Sequence, residues 1–132
     1  MKAWFTLAGG NLDARPWLPP TLWGLLIFLL TSIPNPPDPA TLPVWSDKVI
    51  HVVLYGVFGA LLARGTLRTT RTRLKAFAAA MFIVALVGAV DEWHQQFVPG
   101  RLADIEDWFA DVSGGLAGAV LGVAWQRQEL RS

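Results

Sequence analysis

Three residues in this chain are of types that can move a proton within a shared site: His51, Glu92 and Asp107. An imidazole oriented by a carboxylate can serve as a general base, which makes these three the catalytic candidates. They sit in two dense polar motifs. SDKVIHVVLY holds Asp47, Lys48, His51 and Tyr55. VDEWHQQFVPGRLADIEDWFAD, Val90 to Asp111, holds Asp91, Glu92, Gln95, Arg101, Asp104, Asp107 and Asp111. The same residues suit ligand binding. Arg101 and Lys48 can hold an anionic head, phosphate or carboxylate, with Trp93 and Trp108 beside an acyl or prenyl chain. His51 with several carboxylates can also hold a divalent cation. However, there is no H-E-x-x-H and no paired-His spacing, so no metal and no cofactor are expected. The chain has no Cys, and neither Ser46 nor Ser113 lies in a nucleophile elbow, which leaves covalent catalysis without a candidate.

These motifs must be positioned by apolar elements. Hydrophobic residues make up 53% of the 132 residues and charged ones 16%, against about 25% charged in soluble domains. That shortfall, with four apolar runs, implies one all-α integral membrane domain over residues 1–132. The runs predict spans at about 17–33, 47–63, 74–93 and 107–125. Pro19 and Pro20 fit a first helical turn, and the Pro-rich PNPPDPATLP ends the first span. Pro99-Gly100 signals a chain reversal that folds the following residues back, as a short surface helix or the frayed top of span four. The N-terminal residues lack the pattern of a cleaved secretory signal. A net charge of +1 carries no footprint of a nucleic-acid partner.

The distribution of charge is more informative than its sum. Arg64, Arg68, Arg71, Arg73 and Lys75 crowd the connection between spans two and three. By the positive-inside rule that connection is cytoplasmic, and it is read as a topology signal rather than a binding site for anionic lipid. With four spans, Lys2, Arg15, Arg127 and Arg131 fall on the same side, so both termini are expected in the cytoplasm. Only Lys48 and Arg101 of eleven basic residues lie opposite, together with eight of ten acids. Trp17, Trp45, Trp93, Trp108 and Trp125 lie near span ends, as an aromatic belt does.

Depth follows from counting inward from these anchors. At 1.5 Å per helical residue, His51 lies roughly 20 Å from Arg64, Glu92 roughly 25 Å from Lys75, and Asp111 roughly 24 Å from Arg127. Three helices thus carry an ionisable group to one level in the outer part of a core about 30 Å thick. Facing agrees. Asp47, His51, Tyr55 and Gly59 recur every four residues, and Lys48 joins that stripe. Asp104, Asp107 and Asp111 run into Gly115, Gly118 and Gly122, a small-residue face suited to close helix approach. Met81, Ala85, Gly88, Glu92 and Gln95 share a third face. Ionised groups facing lipid would cost several kcal/mol, so a polar extracytoplasmic pocket between spans two, three and four is expected. The first span has no charge and should brace the others. Arg101 is expected to pair with Asp104 or Asp107, and His94 to be incidental.

These motifs resemble the VanZ-like family. Asp47-Lys48, His51 and Tyr55 resemble its first motif. Asp91-Glu92, Gln95, Pro99-Gly100-Arg101, Asp104, Asp107 and the Gly-rich helix resemble its second. Asp111 departs from the pattern, where many relatives carry Asn. The resemblance covers spans two to four and implies a small multi-pass protein of the cytoplasmic membrane. The family takes its name from a member linked to teicoplanin resistance. The reading favoured is recognition of an amphipathic envelope ligand: a lipid headgroup, a lipid-linked precursor or a lipoglycopeptide tail. In this reading the ligand-binding residues are Asp47, Lys48, His51, Tyr55, Asp91, Glu92, Gln95, Arg101, Asp104, Asp107 and Asp111. A lipid-modifying enzyme using His51 and the acids is the alternative. A structural membrane partner, its acids merely locking helix ends, comes third.

Overall fold

The computed structural model describes residues 14–36, 41–43 and 45–129. Lys2, Arg131 and the side chain of Arg127 fall outside the described residues, and with them the expected position of both termini. Among the described residues the chain is helical, with no strand. A 3₁₀ turn at Arg15–Trp17 leads into α1, Leu18–Thr31, followed by α2, Ser46–Thr69, α3, Arg73–Gln95, and α4, Ile105–Glu129. Pro19 and Pro20 open α1, where a missing N–H is no loss. Thr72 caps α3 by accepting the Lys75 N–H at 3.3 Å. Asp104 caps α4 by accepting the Glu106 N–H at 2.9 Å.

Three helices are long and apolar enough to cross a membrane: Ser46–Thr69, Arg73–Gln95 and Ile105–Gln126. Their outward faces carry Val53, Phe82, Leu86, Val90, Phe109, Val120 and Leu121, all exposed. Tyr55, Thr66, Asp91, Asp107 and Asp111 are buried instead. A chain with polar groups inside and large apolar groups outside is suited to lipid rather than water. α1 has only 14 residues, roughly 21 Å. With its 3₁₀ turn it reaches from near the basic end of α2 to the acidic level of α3. Its start lies against Gly65, beside the Pro16 carbonyl, and its last residue, Thr31, reaches Asp91 on α3.

The basic connection differs from the expected loop. α2 continues to Thr69 instead of stopping near 63, so Arg64 and Arg68 are helical and only residues 70–72 turn. Arg and Leu are good helix formers, and long basic stems can lie along an apolar surface with the charge outward. The Pro99-Gly100 reversal is present. Gly100 adopts φ +78°, which favours glycine, and Asn35 donates its N–H to the Pro99 carbonyl at 2.8 Å. Residues 101–104 form no helix, and α4 begins at Ile105.

α2 and α4 make the closest approach. A Cβ at Gly118 would overlap the Gly56 carbonyl oxygen, and one at Gly59 would overlap the Gly115 carbonyl oxygen. Only glycine permits that backbone contact. This seam sets the position of everything above it.

Candidate functional site

Following the glycine seam towards the acidic end, Gly114 meets the Val52 carbonyl. His51 and Asp111 come next on their helices and face each other. His51 Nδ1 lies 2.7 Å from Asp111 Oδ1. A carboxylate only accepts, so the ring donates from Nδ1. Nε2 is then the atom left to take a proton or a ligand, and it lies 4.0 Å from Asp107 Oδ2. The residue Asp111 is 0% exposed, and its Oδ2 has no hydrogen-bond partner.

One turn further out, Lys48 Nζ lies 2.6 Å from Asp107 Oδ1, 3.0 Å from Asp104 Oδ2 and 3.5 Å from Glu106 Oε2. Asp107 is buried, Lys48 half-buried and Glu106 exposed. This ammonium therefore marks the rim, where the site meets its surroundings. The Glu106 N–H and the Lys48 ammonium hold the Asp104 carboxyl below its ordinary value of 3.8. Asp47 is exposed at the same rim.

α3 closes the cluster from the other side. Asp91 accepts from Thr31 Oγ1 at 2.6 Å, and from Tyr55 Oη and Gln95 Nε2 at 3.5 Å each. Glu92 accepts the Asp104 N–H at 2.9 Å and Gln95 Nε2 at 3.4 Å. Trp108 donates its indole N–H to the Ala85 carbonyl at 3.0 Å, joining α4 to α3 just below. Thus Lys48, His51, Tyr55, Asp91, Glu92, Gln95, Asp104, Asp107 and Asp111 form one connected set.

Arg101 is the exception, and its expected pairing with Asp104 or Asp107 is not what forms. Nε donates to the Ile33 carbonyl at 3.0 Å and Nη2 to the Leu30 carbonyl at 3.2 Å. The left-handed Gly100 turns the chain toward the end of α1, where the Leu30 carbonyl, which also takes the Ile33 N–H at 3.3 Å, and the Ile33 carbonyl just beyond the helix accept these donors. The first span also does more than brace. Thr31 belongs to the Asp91 network. Ser32 Oγ lies 3.0 Å from His94 Nε2, and the His94 ring packs on Phe28 with centroids 4.5 Å apart. Sequence reasoning missed Thr31, Ser32 and Glu106. The signal available for the first two was a hydroxyl pair ending an apolar run at the acidic level.

Two trios of potential metal donors share His51. One donor atom from each of His51, Glu92 and Asp111 lies within 4.8 Å of the others, and the same holds for Asp47, His51 and Asp107. The first trio is buried, while the second reaches the surface through Asp47. Chemically the arrangement offers an oriented imidazole, a surplus of carboxylates and no free ammonium. At the opposite, basic end, a cleft of about 170 Å³ is lined by residues including Arg15, Pro19, Arg64 and Arg68.

A family model described as VanZ/LLP1 matches residues 18–126. No curated protein and no solved structure matches the chain.

Proposed function

The chain belongs to the VanZ/LLP1 family of membrane proteins, and from that premise we propose that it binds an amphipathic cell-envelope component by its polar head. The head is held at the acid-rich end and the tail lies along the exposed apolar faces of the helices. One observation carries this reading. Seven carboxylates (Asp47, Asp91, Glu92, Asp104, Glu106, Asp107 and Asp111) gather around one ammonium and one imidazole. Both candidate cations for an anionic head are engaged: Lys48 by three acids and Arg101 by the end of α1. The head that complements this end is therefore one bearing an ammonium, taken at the Asp47, Asp104 and Glu106 rim. The basic end is cytoplasmic by the positive-inside rule, which puts the acidic rim on the outer face of the cytoplasmic membrane. Lowered susceptibility to teicoplanin-like antibiotics is the cellular consequence in this reading.

The test is mass spectrometry of lipid retained through purification. An amine-bearing lipid should co-purify and be lost in Asp47→Asn/Glu106→Gln, with Arg101→Ala retaining it. Retention of anionic lipid alone, lost in Arg101→Ala, would sink the idea. Thiol labelling of single-Cys variants tests orientation: labelling at Thr70 from outside, with none near Pro99, would invert it. The His51–Asp111 pair, with Nε2 turned toward Asp107, favours a second reading, acid–base chemistry on a lipid-linked substrate. That reading expects normal lipid retention and lost turnover in His51→Ala.

A further inference from the structure

We infer that His51, Glu92 and Asp111 form a binding site for one divalent transition cation of borderline hardness, Zn²⁺ or Mn²⁺, in the closed part of the acidic cluster. The donors come from α2, α3 and α4, so helix packing rather than a local loop fixes their geometry. One donor atom from each lies within 4.8 Å of the other two, and all three residues are buried.

An independent observation points to a ligand. Asp111 Oδ2 is fully buried with no hydrogen-bond partner. Native structures rarely leave a buried carboxylate oxygen in that state, and each such atom calls for an explanation. Oδ2 faces α3 at Gly88, where a Cβ would come within 3.2 Å of it. Glu92 lies one turn above on that same helix face, so the orphaned oxygen is directed at the side of the cluster that Glu92 lines. A cation shared between them satisfies it.

The rest of the geometry agrees. His51 Nδ1 already lies 2.7 Å from Asp111 Oδ1, so a cation shared with Asp111 takes Nδ1 in place of that hydrogen bond, and the ring proton moves to Nε2, where Asp107 Oδ2 at 4.0 Å can orient it. Each Glu92 oxygen has one partner, the Asp104 N–H or Gln95 Nε2, and so keeps a lone pair. Lys48 is held at the rim by Asp104, Glu106 and Asp107, and no ammonium is shared with this trio. One imidazole with two carboxylates suits Zn²⁺ or Mn²⁺ better than Ca²⁺, which prefers six or more oxygens. The outer trio of Asp47, His51 and Asp107 shares the ring and opens to the surface, which supplies a route inward. The inference stands apart from the lipid reading, since it needs no lipid to be bound.

The test uses the full chain in lipid-free detergent micelles, stripped with EDTA and dialysed. ZnCl₂ and MnCl₂ are added, with CaCl₂ as comparison, and bound metal is measured by equilibrium dialysis and elemental analysis. About one equivalent of Zn²⁺ or Mn²⁺ per chain is expected, with affinity falling at least about tenfold in the size-matched Asp111→Asn and in Glu92→Gln. Arg71→Gln, in the turn at the opposite end of the helices, should bind as wild type. Absence of stoichiometric binding by the wild type overturns the site, as does unchanged affinity in both variants. Pulsed EPR of bound Mn²⁺ in the wild type needs no variant to fold: it should show coupling to an imidazole nitrogen, and its absence overturns the assignment to His51.

Discussion

Replacing Gly118 by alanine should loosen the acidic end from two helical turns away. A Cβ at this position overlaps the Gly56 carbonyl oxygen and comes 2.6 Å from its carbon and 3.0 Å from its Cα. Non-bonded carbons settle near 3.5–4.0 Å, and the obstacle is backbone, so the two helices must part by roughly 1 Å. Carried up the same seam, that shift takes His51 Nδ1–Asp111 Oδ1 from 2.7 Å to about 3.7 Å, beyond hydrogen-bond range. Overpacking contributes a loss of roughly 1–3 kcal/mol. The charged hydrogen bond adds roughly 1.5–3 kcal/mol. Alanine's better helix propensity returns about 1 kcal/mol. The net expectation is destabilisation of about 1.5–5 kcal/mol. Reversible unfolding in mixed micelles, followed by tryptophan fluorescence, reads it. Gly24→Ala is the control, because its Cβ meets only the tip of the Phe58 ring, at 3.3 Å, and should lose less than about 1 kcal/mol. A Gly118→Ala protein as stable as Gly24→Ala would refute the claim that backbone contact along this seam sets the cluster.

Lys48→Met should destabilise by about 2–3 kcal/mol, below the range for a fully buried pair because the ammonium is partly exposed. Adding Asp107→Asn should recover much of that loss, and a double-mutant cycle in the same unfolding assay checks it. Thr31→Val keeps the volume but removes the donor at 2.6 Å from Asp91. A loss of roughly 1.5–3 kcal/mol is expected, and no change would mean that α1 is not fastened to the cluster. Asp104 titrates below its ordinary value of 3.8, so its folded pKa lies under its unfolded one. Its stabilisation is therefore present above about pH 4 and lost as pH falls through the lowered folded value. Asp104→Asn, which still caps α4, should be less stable than wild type at pH 7, and the gap should narrow as pH falls below 3.8; a gap that stays constant as pH falls would rule out the charge as cause.

Much of the site was legible because helices translate sequence distance into depth. Counting from Arg64, Lys75 and Arg127 carries His51, Glu92 and Asp111 to one level, and the four-residue recurrence turns them inward. Their donor atoms gather within 4.8 Å. The helix count and the Pro99-Gly100 reversal were legible for similar local reasons. The partner of Arg101 was not. A sequence shows charges plainly but does not show which carbonyls around a helix end stay open to a further donor, and here those of Leu30 and Ile33, not Asp104, take the guanidinium. Thr31 was hidden because a helical hydroxyl can bond its own backbone, as Thr31 also does to the Ile27 carbonyl at 3.0 Å. The end of α2 was misjudged because hydropathy stops at Ala63 while helix propensity continues.

The acidic end also differs in kind from the seam below it. From Gly122 to Gly114, α2 and α4 are joined by backbone contact that needs no side chains. Above Gly114 the joining passes to carboxylates, each with a donor on another helix: Asp111 with His51, Asp107 with Lys48, Asp91 with Thr31. A lock of this sort needs only its partners satisfied, and nearly every member is. Asp111 is the exception, for its Oδ2 remains an unpaired buried oxygen. Asparagine could accept the same His51 proton without placing a second anionic oxygen in the interior, which a structural lock would favour. Retaining aspartate at 111 sacrifices stability unless a cation meets that oxygen, so the departure from a pure lock is concentrated at one atom.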